Sequence, residues 1–480
     1  MTAPLRVLGP DGPRRIHEAA LRVLAETGMF VDHAEALAIL DGAGAHVDAA
    51  TRIVRFPADV VERHLALVPR AFTYHGRAPE HDVTLTVDGD VYSRVPGGAP
   101  GYIDLASGEF RRARLSDWRE FATLADALPN IHAIATMHCG DVPEAIADIH
   151  SLNVLFRNFR KGIVHNAFSV ANHRVMVEMA LAVSGSREAL ATRPPYHHML
   201  SPISPLFLNE DDVSQLLLAC LYGIPTDMPI MPIAAFTGPI TLAGLLVQSL
   251  AEYLGTMVLA QAARPGHAMP FFVDPVIGDL RTGNARFGAP EVGLLVAAIS
   301  QVGREVYGVA PQAIGLDVDG FSLGDIMFQK AQNMAFQVMA GGRLLIGPGC
   351  VGATMALDPA VLVIDDELVA VARRWDRGIS TDETSLAVDA IARVGPRGDF
   401  MADDLTIDHL RDGTILDPGL FESGMREQWV AHGSTDIRER AVVKAQRILA
   451  SHEVPPLPND VLRELDAIIE RAHRSVAALA

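Results

Sequence analysis

Basic residues are scarce in this chain. Lys and Arg number 40 against 58 Asp and Glu over 480 residues, a formal charge of −18, and a surface of that sign repels phosphate backbones and anionic lipid. Nucleic acid is therefore not an expected partner. The acidic balance would favour a cationic ligand, although a solvated acidic surface explains it more simply. Cysteine is scarcer still: Cys139, Cys220 and Cys350 are odd in number and far apart, which argues against a disulfide framework and for a reducing compartment. The N-terminal stretch has no apolar signal-like core, and no uncharged run stands out as long enough to span a bilayer. Cytoplasmic residence without a membrane is the expectation.

Several catalytic motifs are also missing. No G-x-G-x-x-G fingerprint follows a first βα unit, and no G-x-S-x-G elbow or S-x-x-K motif appears. The glycine-rich "GGRLLIGPGC" has neither the Lys nor the spacing of a P-loop, and turn geometry explains its glycines. Ser201 and Ser204 in "SPISP" have the look of turn residues. Zinc would require His138, Cys139 and Cys350, with His165 as a candidate fourth ligand, but no pair among them has zinc-motif spacing, so no bound metal is expected.

What the chain does have is a large apolar fraction, 49 % against 20 % charged residues, the profile of an α/β enzyme with an ample core. Helical periodicity from Pro13 to Gly28, a second helix over 33–40, the β-branched "RIVRFP" and a third helix opened by Pro57 form a small N-terminal α/β cap. "DVTLTV" and "DVYSRV" around "DGD" predict a hairpin over 82–95. From Leu115 to Cys350 short apolar runs alternate with amphipathic helices, with polar residues or glycines after nearly every run. That alternation predicts a parallel sheet closed into a (β/α)8 TIM barrel, and an open doubly wound sheet fits it less well. After Cys350 the strands are expected to cease. The division is 1–95 for cap and hairpin, 96–360 for the barrel and 361–480 for a helical extension, packed on the barrel's outside or at a subunit interface.

In a barrel the working residues sit where strands end. The strand-end candidates include Tyr102, His138, His165, Phe236, Asp274, Arg281 and Asp317. The most distinctive stretch is "DPVIGDLRTGNARFGAPEVG", residues 274–293, which follows the apolar "MPFFV". Asp274 could face a cation and Arg281 could offer its planar fork to a carboxylate. Alternatively the two residues pair with each other or brace the loop. None of these residues makes a complete acid–base machine, and no catalytic residue is assigned.

The segments "HEAALRVLAETG", "GAPGYIDLASGEFRRARLSD", "TGPITLAG", "RTGNARFGAPE", "DDELVAVARRWDRGISTDETSLAVDAI" and "PLPNDVLRELDAIIERA" occur in that order along nearly the whole chain. Together they resemble the trimethylamine methyltransferase family, in its branch without pyrrolysine. The resemblance implies a TIM barrel that moves a methyl group from a methylated amine to the Co(I) form of a corrinoid on a separate protein. It implies cob(I)alamin as acceptor, no tightly bound cofactor, and a quaternary amine such as a betaine as donor; a homo-oligomer is also expected. A quaternary nitrogen leaves as a neutral amine without needing a proton, which suits a site poor in acid–base groups. The protein would hold the cation by aromatic faces and carboxylates and align one methyl. Asp317 in "LDVDG" is the best second anion, and Tyr102 and Phe236 are candidate cage walls. "LDVDG" and "IGPGC" depart from the family's pattern at the expected mouth. A binding paralogue without turnover and a metal-dependent hydrolase on the same barrel are the alternatives.

Overall fold

The computed structural model describes residues 4–411, 414–417 and 419–477. Seven short parallel strands share its central sheet. In chain order they are β1 (Tyr92–Arg94), β2 (Ala133–Ile134), β3 (Gly162–Asn166), β4 (His197–Met199), β5 (Thr226–Asp227), β6 (Gln312–Ala313) and β7 (Leu344–Ile346). Across the sheet they run β5-β4-β3-β2-β1-β7-β6. The late strands β6 and β7 thus join on beyond β1, and the sheet curls. The extended segment 268–273 lies against both edges. Thr226 donates its N–H to the Ala268 carbonyl at 3.0 Å and Ile230 bridges Val273; Phe272 bridges Gln312, whose N–H reaches the Phe271 carbonyl at 3.0 Å.

Helices alternate with the strands: α1 (Leu115–Ala127), α2 (Ala147–Asn158), α3 (Val170–Ser184), α4 (Glu210–Tyr222), α5 (Leu242–Ala263), α6 (Pro290–Val302), α7 (Leu323–Met339) and α8 (Pro359–Asp376). Polar caps fix where several of them begin, since the first turn of a helix leaves N–H groups without partners. Ser169 accepts from Asn172 N at 3.2 Å and Asn209 from Asp212 N at 2.9 Å. Successive strand residues point to opposite faces, so the sheet has an inner set and an outer set. Val164, Phe272, Leu344 and Ile346 pack together inside with Tyr92 and Met199. Ile163 and Leu345 face outward to the helices.

Tyr74 plugs one end of the interior. It stands on a hairpin of Phe72–Tyr74 and Val83–Leu85, stacks on His197 at 4.2 Å, and donates to Asp227 Oδ2 at 2.6 Å. His197 Nδ1 lies 3.0 Å from Asp227 Oδ1. The hairpin expected over 82–95 is therefore wrong in its pairing. Residues 83–85 pair with 72–74, and 92–94 joins β2 and β7 in the parallel sheet, because an alternating pattern does not reveal which strand will be its partner.

In the N-terminal cap, strands Met29–Val31, Ile53–Arg55 and His46–Asp48 accept Phe207–Leu208 from the loop after β4 as a fourth member. Helices Gly12–Glu26 and Ala58–Leu65 pack on α5. By length and composition α5 could cross a membrane, which corrects the reading that no such segment exists. Most of it is buried in the fold, and its buried Glu252 receives Ser204 Oγ at 2.7 Å and Leu206 N at 3.0 Å. Strands also continue beyond Cys350, since Ala356–Leu357 pairs with Cys350–Val351 and with Gly101–Ile103. The C-terminal helix Asn459–Ala477 packs on the outer faces of α2 and α3, with Arg157 2.6 Å from Asp466 and Arg471 3.0 Å from Glu178.

One close approach fixes β7 against the chain after β6. Gly347 has φ +126°, and a side-chain carbon there would lie 2.1 Å from the Leu316 carbonyl carbon and 2.2 Å from Asp317 N. No rotamer relieves a clash with backbone. Gly347→Ala is expected to cost about 2–4 kcal/mol of stability, and an unchanged urea midpoint and slope would show that this contact is not tight.

Candidate functional site

The polar end of the interior lies where the parallel strands finish. A cavity of about 280 Å³ opens there, lined by Gly97, Gly98, Asn166, Met199, Ser201 and Gln215 among others. Below it sits Arg94, the last residue of β1, only 1 % exposed. Its guanidinium lies over the Phe272 ring, 5.1 Å from the centroid. Its one recorded hydrogen-bond partner is the Met199 thioether at 3.9 Å, and Nε has none among the described residues.

Three carboxyls share this interior with Arg94. Burial pushes Asp227 upward, but the His197 contact, the Arg94 charge and the Tyr74 hydroxyl outweigh it and hold the group below its ordinary range. Asp274 and Asp317 go the other way. Burial, then the charge of Asp317, push Asp274 well up against the pull of Arg94 and of Ile314 N, 3.2 Å from Oδ1. Burial likewise raises Asp317, opposed by the neighbouring Cys350 thiol, Lys330 and Arg94. Among the described residues neither forms an ion pair, and Asp317 Oδ1 has no hydrogen-bond partner. Two desolvated carboxyls without a counter-ion favour their neutral form until a cation arrives.

Lys330 of α7 holds the scaffold beneath Asp317. Its ammonium is fully buried and donates to Leu316 O at 2.8 Å, Gly347 O at 3.0 Å and Asp365 Oδ2 at 2.8 Å. Burial pushes Asp365 up to about 6 despite that partner and Gly349 N–H. Asp319 serves the neighbouring loop, accepting from Phe287 N at 2.8 Å and Gly288 N at 3.1 Å.

The sequence-derived candidates thus separate. Asp274 and Asp317 come together in the interior with Arg94. His138 faces the mouth loops, its ring 5.0 Å from Phe168 and its Nδ1 without a hydrogen-bond partner among the described residues. Phe236 stands on the rim, partly exposed beside Gly278. His165 points away from the cavity, because β3 alternates and Val164 and Asn166 take the inner face. Its Nδ1 lies 2.8 Å from Asn166 O, and burial pushes it down to about 3. Tyr102 belongs to the outer sheet, where its hydroxyl reaches Glu120 at 3.2 Å and Arg111 covers its ring. Arg281 does not reach the interior: its side chain is 83 % exposed and folds back on Asp279 at 3.1 Å. Of the two alternatives for this loop, Arg281 does not pair with Asp274 but braces its own loop through Asp279. Among the described residues no three of His, Cys, Asp and Glu gather as a metal-ligand set.

The family model for trimethylamine methyltransferase (MTTB) matches residues 1–477. The chain belongs to that family. It is 29 % identical to the trimethylamine methyltransferase MttB of Desulfitobacterium hafniense (strain DSM 10664 / DCB-2), covering 88 % of this chain and 84 % of that protein. It is 28 % identical to the glycine betaine methyltransferase of D. hafniense strain Y51, covering 87 % of each. In fold it resembles the crystal structure of the monomethylamine methyltransferase MtmB of Methanosarcina barkeri, with a TM-score of 0.52 over 92 % of this chain and 93 % of that one at 12 % identity.

For a member of the trimethylamine methyltransferase family, the residue that sequence reasoning overlooked is Arg94. The available signal was an arginine at the end of the strand-like "DVYSR" and directly before "VPGG", since a strand followed by glycines is how the other strand ends were found. Asp227 in "PTDMP" was overlooked in the same way. Lys330 lies in a helix, where a lone Lys ordinarily means a solvated face. Lys330→Met is expected to cost about 3–5 kcal/mol by leaving Asp365 without its counter-charge, and Lys330→Met with Asp365→Leu to regain much of that. Urea denaturation of the two variants measures both values; a single variant as stable as the parent would remove Lys330 from the scaffold's supports.

Proposed function

We propose that this protein transfers a methyl group from a small quaternary, betaine-like amine to the Co(I) corrinoid of a partner protein. The observation that carries the reading is the pair Asp274 and Asp317, two buried carboxyls without ion-pair partners at neighbouring strand ends, in a member of this family. A quaternary ammonium supplies the missing counter-charge and needs no proton to leave. When docked, the corrinoid supplies the electron pair that attacks the methyl carbon. The carbon–nitrogen bond breaks and its electrons stay on nitrogen, giving a neutral tertiary amine. This chain's residues bind, orient and exclude water: Asp274 and Asp317 face the cation, with His138 and Phe236 toward the mouth. His165 and Tyr102 support the wall from outside, and Arg281 braces its own loop.

Support for a partner at the mouth comes from the rim. Phe110, Phe168, Phe236, Ile240, Leu280 and Phe321 are large, apolar and exposed; Phe110 opens the strand Phe110–Arg112, and the others lie on loops. Such a ring suits a bulky domain pressed over the opening. We also take the sheet as a closed (β/α)8 barrel with 268–273 as its eighth strand, supported by the bridges Ile230–Val273 and Phe272–Gln312. Of the divisions 1–95, 96–360 and 361–480, the first gives up β1, residues 92–94, to the barrel. The exposed Ile379, Met401, Leu410 and Ile415 suit self-association of the helical extension in a homo-oligomer, and three buried cysteines outside any disulfide suit a cytoplasmic enzyme.

Mixing the protein with cob(I)alamin and glycine betaine should yield methylcobalamin, read from its absorbance, with Asp317→Asn lowering kcat/KM by about 10- to 100-fold. Binding without transfer would favour the paralogue that has lost turnover. Proton linkage gives an independent check. The two carboxyls are raised in the free protein, and a bound ammonium favours their ionised form, so binding releases protons. Affinity should therefore rise with pH and level off once the free carboxyls have ionised. Calorimetry in buffers of different ionisation heat would detect the release, and proton uptake would have the wrong sign.

A further inference from the structure

A buried guanidinium ordinarily has an oxygen partner, because desolvating the charge is costly without one. Arg94 is 1 % exposed and its recorded contacts are soft ones, the Phe272 ring and the Met199 sulfur at 3.9 Å. A thioether is a weak acceptor on a flexible chain, and such a partner is easily displaced. Met199 also lines the cavity at the strand ends, beside Gly97 and Asn166. It crowds Gly97 closely, since a side-chain carbon built there would meet the Met199 methyl at 2.9 Å. A turn of the Met199 side chain would therefore put the guanidinium in contact with whatever fills the cavity. The amide oxygen of Asn166, facing the same space, also has no hydrogen-bond partner among the described residues.

We propose that Arg94 is the carboxylate anchor of the substrate site, so that the interior is built for a zwitterion with its ammonium toward Asp274 and Asp317 and its carboxylate on Arg94. This rests on the methyl-transfer reading for the reacting end of the ligand, but it assigns the other end from geometry alone. Arg281, on the surface and held by Asp279, leaves that role open. A planar fork with a free Nε–H can take a carboxylate with two parallel hydrogen bonds. A cation without a carboxylate would enter beside Arg94 and leave its Nε–H without an oxygen partner. The interior thus favours ligands that carry both signs, and the partners already present divide accordingly: Asp227 is occupied by His197 and Tyr74, while Arg94, Asp274 and Asp317 remain for the ligand.

Calorimetric titration of the full chain with glycine betaine, its methyl ester and tetramethylammonium tests this. The parent should bind glycine betaine about 10- to 100-fold more tightly than the ester, the range for a hydrogen bond to a charged group. Arg94→Lys and Arg94→Gln should both lose that preference, and Arg94→Lys, which keeps the charge beside Asp274 and Asp317, should hold tetramethylammonium within about twofold of the parent. Equal weakening of all three ligands, or a betaine preference that survives in both variants, overturns the proposal. If neither variant folds, the parent decides, and equal affinity for betaine and ester overturns it. Methyl transfer to cob(I)alamin is measured on the same preparations. Arg94-dependent carboxylate binding without any transfer would leave the anchor standing and sink the methyl-transfer reading. Transfer from glycine betaine by Arg94→Lys at the parent's KM would do the reverse.

Discussion

Lys330 brings a positive charge to a place without water, and three oxygens compensate it. Two of them are backbone carbonyls on either side of the seam between β6 and β7, and the third belongs to Asp365 on α8. The seam is further closed by Gly347, which admits the Leu316–Asp317 backbone because it has no side chain. Asp317 emerges directly from this junction. Its position relative to Asp274 and Arg94 is thus set by a buried ion pair on the helical side and a glycine contact on the sheet side. Buried ion pairs seldom add much net stability, but they penalise arrangements that would separate their members. Here the penalised arrangement is any slip of β7 against β6, the slip that would carry Asp317 away from the interior.

Inside the sheet the charges form a graded column. At the plugged end Asp227 is satisfied by His197 and Tyr74 and stays ionised. At the open end Asp274 and Asp317 have no counter-ion and are pushed toward neutrality. Arg94 stands between them and acts on all three. One guanidinium cannot neutralise three carboxylates, so the polarity of the open end depends on what occupies it. Three other buried histidines nearby take no part in this balance. His165, His198 and His173 face the helices and are held neutral by burial, with the last two stacked 3.6 Å apart.

Much of this architecture was legible in the sequence. Helices α4 and α5 run over Glu210–Tyr222 and Leu242–Ala263 as their periodicity indicated, because amphipathic spacing and caps are local signals. Asp274 and Asp317 were found because each follows a buried apolar run. What escaped was pairing over distance. "DVYSRV" alternates just as a hairpin strand does, yet its partners are 344–346 and Ala133, and placing it in a hairpin hid Arg94. Arg281 failed for the opposite reason: its loop was located correctly, but nothing local told whether the side chain would turn inward or back onto Asp279. His165 shows the same limit at smaller scale, since a one-residue phase along β3 separates a cavity residue from a helix-facing one.

The loop after β4 leaves the cavity wall at Met199 to Ser201 and, six residues later, becomes the fourth strand of the N-terminal cap, with Phe207 against Phe30 at 5.3 Å. Glu252 of α5 secures the stretch between. The cap is therefore a wall tie and not an ornament. A recombination point drawn between cap and sheet, natural or engineered, would cut the backing from one side of the cavity, so new ligand specificities in this scaffold should be inherited with the cap they arose beside.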